Sequence, residues 1–164
     1  MSTGAQASAV TPLADPAATS VVPCDRLPWA TLAPGFEIKL LRKGDGSGTY
    51  TVLTRLAPGI QVPRHRHHGD VHAWTISGCW RYAEYDWTAR AGDYIYEPKA
   101  STHTLQIPES SQEPAVVLFV ISQAQEYLDD AGNTLYVQDA DFVEQIYRTT
   151  LAAQALEYPP DVLP

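Results

Sequence analysis

The chain has 164 residues, of which 45% are hydrophobic, so it can form one compact domain with a sizeable core. Its formal net charge of −8 argues against binding to nucleic acid or to an anionic membrane surface, because both need clustered Lys and Arg. The sequence shows neither a secretory signal pattern nor an apolar stretch of membrane-spanning length, so we expect a cytoplasmic protein.

The first segment, residues 1–24, is rich in Ala, Ser, Thr and Pro and carries almost no charge. Such a composition buries too little apolar surface to fold alone. We therefore predict a flexible tail here, or alternatively an arm that docks on a neighbouring subunit. The rest of the chain, residues 25–164, is predicted to form a single domain.

From Phe36 onward, short β-rich runs alternate with turn residues. Short strands with frequent Gly, Pro and Asp turns are typical of an all-β sandwich or a small barrel. The run Ala115–Ile121 is continuously apolar and predicts a strand buried on both faces. The predicted strands are Phe36–Arg42, Thr49–Leu56, Ile60–His65, Val71–Ile76, Cys79–Tyr85, Trp87–Arg90, Tyr94–Glu97, His103–Ile107 and Ala115–Ile121.

A helix is predicted near the end of the chain, over about residues 139–156, because apolar residues recur there at helical spacing. Asp139 or Asp141 can cap its first turn. The apolar stripe of this helix is most simply explained by packing on the barrel or on a partner subunit.

Four of the five histidines lie within eight residues, at His65, His67, His68 and His72, and the fifth is His103. Histidine is the commonest protein ligand for transition metals, so the cluster predicts a metal centre rather than a solvated polar loop. Residues i and i+2 of a strand face the same side, so His65 and His67 can point into one cavity. By the same alternation, His68 is expected to face solvent.

Two patterns of fixed spacing surround these histidines. They are Gly59-x5-His65-x-His67-x4-His72-x5-Gly78 and Gly92-x5-Pro98-x4-His103. They resemble the two motifs of the cupin superfamily, G-x5-H-x-H-x(3,4)-E-x6-G and G-x5-P-x-G-x2-H-x3-N. The resemblance implies that closure of the sheet into a barrel brings the last histidine opposite the first two.

The chain departs from the cupin motifs at three positions. His72 stands where the first motif has Glu, Ala100 replaces a Gly of the second motif, and Ile107 replaces its final Asn. His72 therefore has three open roles. It is a fourth metal ligand, a group that supports a ligand or contacts the substrate, or an ordinary core histidine.

A closer resemblance runs from Pro63 to Pro98, over PRHRHHGDVHAWTISGCWRYAEYDWTARAGDYIYEP. This stretch is similar to the 2,4′-dihydroxyacetophenone dioxygenase family of small single-domain cupins, and the similarity continues through STHTL, AVVLFVI, YLDDAGN and the terminal helix. The resemblance implies a jelly-roll-like β-barrel with a C-terminal helix. It also implies a non-haem iron centre that uses O2 to split the bond between a carbonyl and an α-hydroxylated carbon.

The resemblance makes Fe(2+) the expected cofactor, with zinc or another divalent metal as an alternative. Three neutral imidazoles from His65, His67 and His103 would leave a divalent ion its full charge and several open positions. Such a site suits a redox metal that takes both O2 and a small ketone. The implied substrate is a hydroxylated aryl ketone such as 2,4′-dihydroxyacetophenone, or a similar oxygenated ketone.

Strand alternation suggests further site residues. If His72 points inward as a ligand, Trp74 and Ile76 share its face and would line the substrate pocket. Glu97, just before Pro98, is also expected to point inward. It has two possible roles: a catalytic base whose acidity is weakened by desolvation, or a partner that holds a ligand imidazole by its ring N–H.

Aromatic residues are dense in the middle of the chain, at Trp74, Trp80, Tyr82, Tyr85, Trp87, Tyr94 and Tyr96. About half of them must face outward by alternation, and outward aromatics need covering. We therefore expect a homo-oligomer.

Three classes of function remain open at this point. The leading hypothesis is an iron-dependent dioxygenase that cleaves a C–C bond. The second is a non-oxidative metal cupin such as a zinc-dependent polyketide cyclase, which four histidine ligands including His72 would favour. The third is a metal-binding regulatory cupin, such as the cupin domain of an anti-sigma factor.

Overall fold

The computed structural model of the protein describes residues 21–44 and 46–159. The predicted tail at residues 1–24 therefore lies outside the described residues, except for its last four positions. Within the described ranges the chain forms twelve strands and one helix. They are β1 Ala30–Ala33, β2 Phe36–Lys43, β3 Tyr50–Leu56, β4 Gln61–His67, β5 Val71–Ser77, β6 Cys79–Tyr82, β7 Ala89–Arg90, β8 Tyr94–Glu97, β9 Thr102–Gln106, β10 Ala115–Ile121, β11 Gln125–Leu128, β12 Thr134–Gln138 and α1 Ala140–Ala153.

The strands form two six-stranded sheets. Sheet I has the order β1-β2-β3-β10-β5-β8, and sheet II has the order β12-β11-β4-β9-β6-β7. Their pairings are antiparallel. Because neighbours such as β3 and β10 are distant in sequence, the chain crosses repeatedly between the sheets, as in a jelly roll. The predicted all-β fold class with a C-terminal helix is confirmed.

The core lies between the two sheets and is filled by alternate residues of each strand. In β10, Ala115, Val117, Phe119 and Ile121 are buried, whereas the residues between them are only half-buried. The prediction that this strand is buried on both faces is therefore wrong. The continuous apolar sequence of β10 therefore supplies a half-buried outer face as well as the core.

Helix α1 packs across the β1 and β2 end of the sandwich and also contacts β12. Asp139 caps it by accepting a hydrogen bond from the Phe142 backbone N–H at 2.8 Å. Its buried face carries Val143, Tyr147 and Leu151, and the Tyr147 hydroxyl donates to the Pro28 carbonyl at 2.8 Å. No helix in the part of the chain that the structure describes is long and apolar enough to cross a membrane.

Two strand registers position the candidate site. β4 lies between β11 and β9, with His65 directly opposite His103 of β9 and opposite Tyr127 of β11. β8 forms the edge of sheet I and pairs with β5, with Glu97 opposite Val71. Because Val71 is buried, this register places Glu97 on the inner face of sheet I, across from β4 and β9.

Candidate metal centre

Three histidine side chains meet in the interior, His65 and His67 from β4 and His103 from β9. Each is at most 5% exposed, and one ring nitrogen of each lies within 4.8 Å of those of the other two. The Nε2 atoms of His67 and His103 are 3.1 Å apart. The i, i+2 spacing in β4 and the register with β9 thus bring together the three histidines that the two motifs contain.

The orientation of His65 prepares it as a neutral ligand. Its Nδ1 lies 2.8 Å from the Pro63 carbonyl oxygen, which can only accept, so Nδ1 carries the proton and Nε2 keeps its lone pair. Burial, together with the neighbouring imidazole of His67, lowers the pKa of His65 to about 3. The ring is therefore uncharged near neutral pH, as metal ligation requires.

Glu97 reaches the same place from the opposite sheet. Its Oε1 accepts a hydrogen bond of 2.5 Å from the Tyr82 hydroxyl. Its Oε2 lies 2.9 Å from Nε2 of His67 and 3.3 Å from Nε2 of His103, yet no N–H is directed at it in hydrogen-bonding geometry. One carboxylate oxygen is thus anchored, and the other lies among the ring nitrogens without a partner.

The environment of Glu97 differs from the sequence prediction in one respect. Burial alone would raise the pKa of the Glu97 carboxyl, as expected, but contacts with His103 and His67 outweigh burial and hold this pKa well below its usual range. The prediction of weakened acidity is therefore wrong, because it omitted the imidazoles across the barrel. Glu97 is ionised near neutral pH.

The donor set fits a divalent transition metal. Three buried imidazoles converge, and a buried carboxylate oxygen without a hydrogen-bond partner lies beside two of them. Imidazole with carboxylate is a ligand combination that suits iron, zinc and related ions. His65, His67 and His103 could hold the ion, and Oε2 of Glu97 is close enough either to join them or to accept a proton beside them.

Tyr82 is a site residue that the sequence analysis assigned only to the aromatic cluster. Its ring stacks on His103 with centroids 3.8 Å apart and planes 15° apart, while its hydroxyl binds Glu97. No short sequence pattern marks it, because its position follows from the pairing of β6 with β9, which sets Tyr82 beside the strand that carries His103.

A cavity of about 270 Å³ extends between the sheets from this cluster to helix α1. Near the cluster it is bounded by His65, His67, Tyr82 and Glu97, and its lining at α1 includes Phe142 and Ile146. Most of the remaining wall is aliphatic or aromatic. No Lys, Arg or Asp lines it among the described residues, so Glu97 is its one ionised carboxylate.

A smaller cavity of about 100 Å³ approaches the cluster from another side. It is bounded by Tyr82, Glu97 and His103 and by the aromatic rings of Tyr85 and Trp87. The cluster therefore lies between two cavities, of which only the larger has room for a molecule with an aromatic ring.

The structure does not bring His72, Trp74 or Ile76 to the cluster. All three are exposed on the outer face of β5, and the buried residues of this strand are Val71, Ala73 and Thr75. This corrects the expectation that His72 points inward as a ligand and that Trp74 and Ile76 line the substrate pocket. On the inner face, Thr75 accepts a hydrogen bond of 2.8 Å from the indole N–H of the fully buried Trp80, so a large ring from sheet II lies against the small side chains of β5.

His72 instead forms a contact on the protein surface, with its Nδ1 2.5 Å from the Tyr94 hydroxyl. His68 lies outside the cluster as well. Its side chain is partly exposed, and its Nε2 is 3.4 Å from a Glu126 carboxylate oxygen.

Comparison with known proteins identifies the family and the fold. The sequence matches the family model described as the ChrR cupin-like domain over residues 17–126. A protein of unknown function with a cupin-like fold from Ralstonia eutropha is 29% identical, with a TM-score of 0.79 over 88% of this chain and 91% of that chain. An RmlC-like cupin protein from the same organism is 26% identical, with a TM-score of 0.80 over 90% of this chain and 95% of that chain.

A more distant likeness is found to an acetylacetone dioxygenase from Acinetobacter johnsonii. It is 13% identical, with a TM-score of 0.70 over 86% of this chain and 97% of that chain. At this identity the likeness shows a shared fold alone. No curated protein matches the sequence.

Proposed function

We propose, on the premise that the chain belongs to the family of ChrR cupin-like domains, that it is an iron-dependent dioxygenase. The proposed substrate is a hydroxylated aryl ketone such as 2,4′-dihydroxyacetophenone, or a similar oxygenated ketone. The proposed reaction cleaves the bond between the carbonyl and the hydroxylated carbon with one O2, giving two carboxylic acids. The observation that carries this proposal is the opening of a buried imidazole cluster onto a cavity whose far walls are uncharged.

The size of the cavity supports a substrate with one aromatic ring. An apolar cavity of about 150 Å³ holds benzene. The cavity of about 270 Å³ therefore has space for one ring and a short oxygenated side chain. Its apolar wall favours an aryl group at the far end, and the polar groups at the cluster suit the oxygen atoms of the ketone.

The charge of the cavity supports a neutral substrate. A carboxylate or phosphate on the ligand would need a cation at the far end, and no Lys or Arg lines the cavity among the described residues. A hydroxyketone carries no charge until it loses its hydroxyl proton, which it would do at the cluster end.

Glu97 is the residue placed to take that proton. Its carboxylate is ionised, and Tyr82 fixes Oε1 so that Oε2 faces the cluster. A bound iron ion would supply the redox chemistry that activates O2, while the cavity walls orient the ketone and exclude water. The lowered pKa of Glu97 makes it a weak base on its own, so in this proposal Oε2 takes the proton of a substrate hydroxyl that a bound metal ion would acidify, and later returns it to a product.

The position of His72 bears on the main alternative. A zinc-dependent cyclase would be favoured by four histidine ligands, and His72 on the outer face of β5 removes the sequence argument for such a centre. A purely regulatory metal site would not need a cavity large enough for an aromatic ring beside the metal ligands. The presence of this cavity therefore favours an enzyme.

The decisive experiment compares the protein loaded with Fe(2+) and with Zn(2+). Each form is given 2,4′-dihydroxyacetophenone and a small panel of α-hydroxy and 1,3-dicarbonyl ketones, and O2 uptake is measured together with products labelled from ¹⁸O2. We expect uptake of one O2 per substrate in the iron form only, with one labelled atom in each of the two acids formed from an α-hydroxyketone. Full turnover without O2, or equal turnover with zinc, would contradict the proposal.

A further inference from the structure

Two buried polar side chains of β11 interrupt the mostly apolar wall of the large cavity. Gln125 and Tyr127 both line this cavity, and each is 6% exposed. One residue separates them in the strand, so their side chains share a face. In the strand register Gln125 lies opposite His67 and Tyr127 lies opposite His65. We call Gln125 and Tyr127 the polar pair, and it lies on the cavity wall one strand away from the imidazole cluster.

The polar pair is only partly satisfied by its own contact. Nε2 of Gln125 donates a hydrogen bond of 3.0 Å to the hydroxyl oxygen of Tyr127. Among the described residues, none accepts a hydrogen bond from the Tyr127 hydroxyl and none donates to Oε1 of Gln125. The pair therefore retains one O–H donor and one carbonyl acceptor at the cavity.

The donor of the polar pair is fixed in place and keeps its proton. The ring of Tyr127 lies between two other rings, with its centroid 4.6 Å from that of Tyr136 and 5.5 Å from that of His65. Burial, together with the neighbouring hydroxyls of Tyr136 and Tyr50, raises the pKa of Tyr127. A donor held in this way loses little freedom when it binds a ligand.

The free groups of the polar pair match one kind of ligand group, a neutral hydroxyl. A hydroxyl both donates and accepts, so it can bind Oε1 of Gln125 and the O–H of Tyr127 together. A carbonyl or an ether only accepts and would leave Oε1 unpaired. An anion would be buried without a counter-charge, because no Lys or Arg lines the cavity among the described residues.

We propose that the polar pair binds a hydroxyl group on the aromatic ring of the ketone and thereby selects ring-hydroxylated substrates. This inference rests on the function proposed above, because an aryl ketone held by its carbonyl end at the cluster brings its ring to the neighbouring strand. Adjacent strands are about 4.7–4.9 Å apart, an offset comparable to the span of one ring with its substituent. The 4′-hydroxyl, on the side of the ring away from the ketone, is the group that fits this offset.

The polar pair would act on specificity rather than on the reacting atoms. A ketone without the ring hydroxyl would displace water from the pair and leave its donor and acceptor buried without partners. A site built to bind a hydroxyl rejects the analogue that lacks it for this reason. Tyr127 and Gln125 are therefore proposed as specificity residues, distinct from Glu97 at the cluster.

The test compares the affinity of the zinc-loaded protein for 4′-hydroxyacetophenone and for acetophenone by isothermal titration calorimetry. The two ketones differ only in the ring hydroxyl, and neither carries the α-hydroxyl that the proposed cleavage requires. We expect the hydroxylated ketone to bind at least about tenfold more tightly to the unaltered protein. In Tyr127→Phe, which keeps the stacked ring, the ratio of the two Kd values should fall to near one. Gln125→Met should lower the same ratio.

Tyr147→Phe is the matched control for the loss of a buried tyrosine hydroxyl. The Tyr147 hydroxyl donates to the Pro28 carbonyl and does not line the cavity, so the ratio should stay as in the unaltered protein. Circular dichroism and bound zinc on the same samples show whether each variant is folded and loaded. Equal affinity of the unaltered protein for the two ketones would overturn the proposal. So would an unchanged ratio in folded Tyr127→Phe and Gln125→Met proteins.

The binding ratio and the oxidation test fail separately. A ratio above tenfold in a protein whose iron form takes up no O2 would support the polar pair and contradict the dioxygenase. Uptake of O2 by the iron form at the same kcat/KM with 2,4′-dihydroxyacetophenone and with its analogue lacking the 4′-hydroxyl would support the dioxygenase and contradict the polar pair.

Discussion

Tyr82 donates a hydrogen bond of 2.5 Å to Glu97 in a part of the barrel where both side chains are buried. The bond occupies one carboxylate oxygen and directs the other at the ring nitrogens of His67 and His103. The two sheets are thereby joined through polar groups, since Glu97 belongs to sheet I and Tyr82 to sheet II. The geometry of the metal centre depends on this link as well as on the histidines.

Tyr82→Phe should loosen the centre without removing it. The stacked ring on His103 is kept, but Oε1 of Glu97 loses its donor and is left buried without a partner. We expect metal affinity to fall by about 10–100-fold and the free energy of unfolding to fall by about 1–3 kcal/mol. Metal competition with a chelator and urea unfolding measure these quantities.

Tyr85→Phe is the control for Tyr82→Phe, because Tyr85 is 45% exposed and stacks on Trp87 rather than on a histidine. Wild-type metal affinity in Tyr82→Phe would show that the hydrogen bond does not support the site.

Replacement of any of the three clustered histidines by Ala should remove most of the bound metal. Their ring nitrogens converge in the interior, and a methyl group cannot replace an imidazole donor. His72→Gln is the matched control, because His72 lies outside the cluster, on the outer face of β5. Elemental analysis of the bound metal checks the three alanine variants and the control. A His103→Ala protein that keeps stoichiometric metal at wild-type affinity would refute the site.

The histidine cluster could be predicted because its signal is local. His65 and His67 are two residues apart in one strand, and the spacing to His103 is fixed by a hairpin and a proline. Which face of β5 is buried could not be predicted in the same way. Both sets of alternate residues in VHAWTIS can be buried, and His72 at the Glu position of the cupin motif favours the set that the structure leaves outside. The buried Trp80 of sheet II lies against the inner face of β5 and donates a hydrogen bond to Thr75, and that contact is a tertiary effect.

The role of Tyr82 escaped prediction for a similar reason. Its partners Glu97 and His103 are 15 and 21 positions further along the chain, in strands of different sheets, and no short pattern connects them. Strands β11 and β12 were also missed, since their sequences QEYL and TLYVQ are short and mixed in polarity. The place of β11 in the sheet depends on its pairing with β4, and that of β12 on its pairing with β11, rather than on local preference.

Ala100→Gly should stabilise the protein. Ala100 has φ 68°, in the left-handed region that favours glycine, and it occupies the position where the cupin motif has Gly. Relief of this strain, less the greater chain entropy of glycine in the unfolded state, should raise the free energy of unfolding by about 0.5–1 kcal/mol. Urea unfolding gives the value.

Gly92→Ala is the opposite case. Gly92 has φ 94°, so this substitution should lower the free energy of unfolding. A less stable Ala100→Gly protein would contradict this account.

The stability of the metal-free protein should fall as the pH is lowered from about 6.5 to about 3. Burial lowers the pKa of His65 to about 3 in the folded state, whereas an exposed histidine has a pKa near 6.5. Below about 6.5 the unfolded chain binds a proton that the folded chain does not, at a cost of up to about 1.4 kcal/mol per pH unit. Above this range His65 contributes no pH dependence.

Urea unfolding of the metal-free protein at pH 7 and pH 5 checks the prediction for His65. In His65→Gln the free energy of unfolding should depend less steeply on pH. The difference should correspond to the uptake of about one proton on unfolding, because glutamine does not titrate. His68→Gln is the control, since His68 is partly exposed and outside the cluster. An equally steep dependence in His65→Gln would assign the effect to other groups.

Filling the large cavity should impair turnover of an aryl ketone and leave the metal in place. Ile146 lies on the cavity side of α1, so Ile146→Trp would occupy the space proposed for the aromatic ring. We expect kcat/KM to fall at least about tenfold, because the ketone would no longer reach its position at the cluster.

Gln145→Trp is the control, because it places the same ring on the exposed side of the helix and should have little effect on kcat/KM. Metal content and circular dichroism measured alongside should match the unaltered protein for both variants. If Ile146→Trp binds metal normally and turns over a large aryl ketone as fast as the unaltered protein, the substrate does not occupy this cavity.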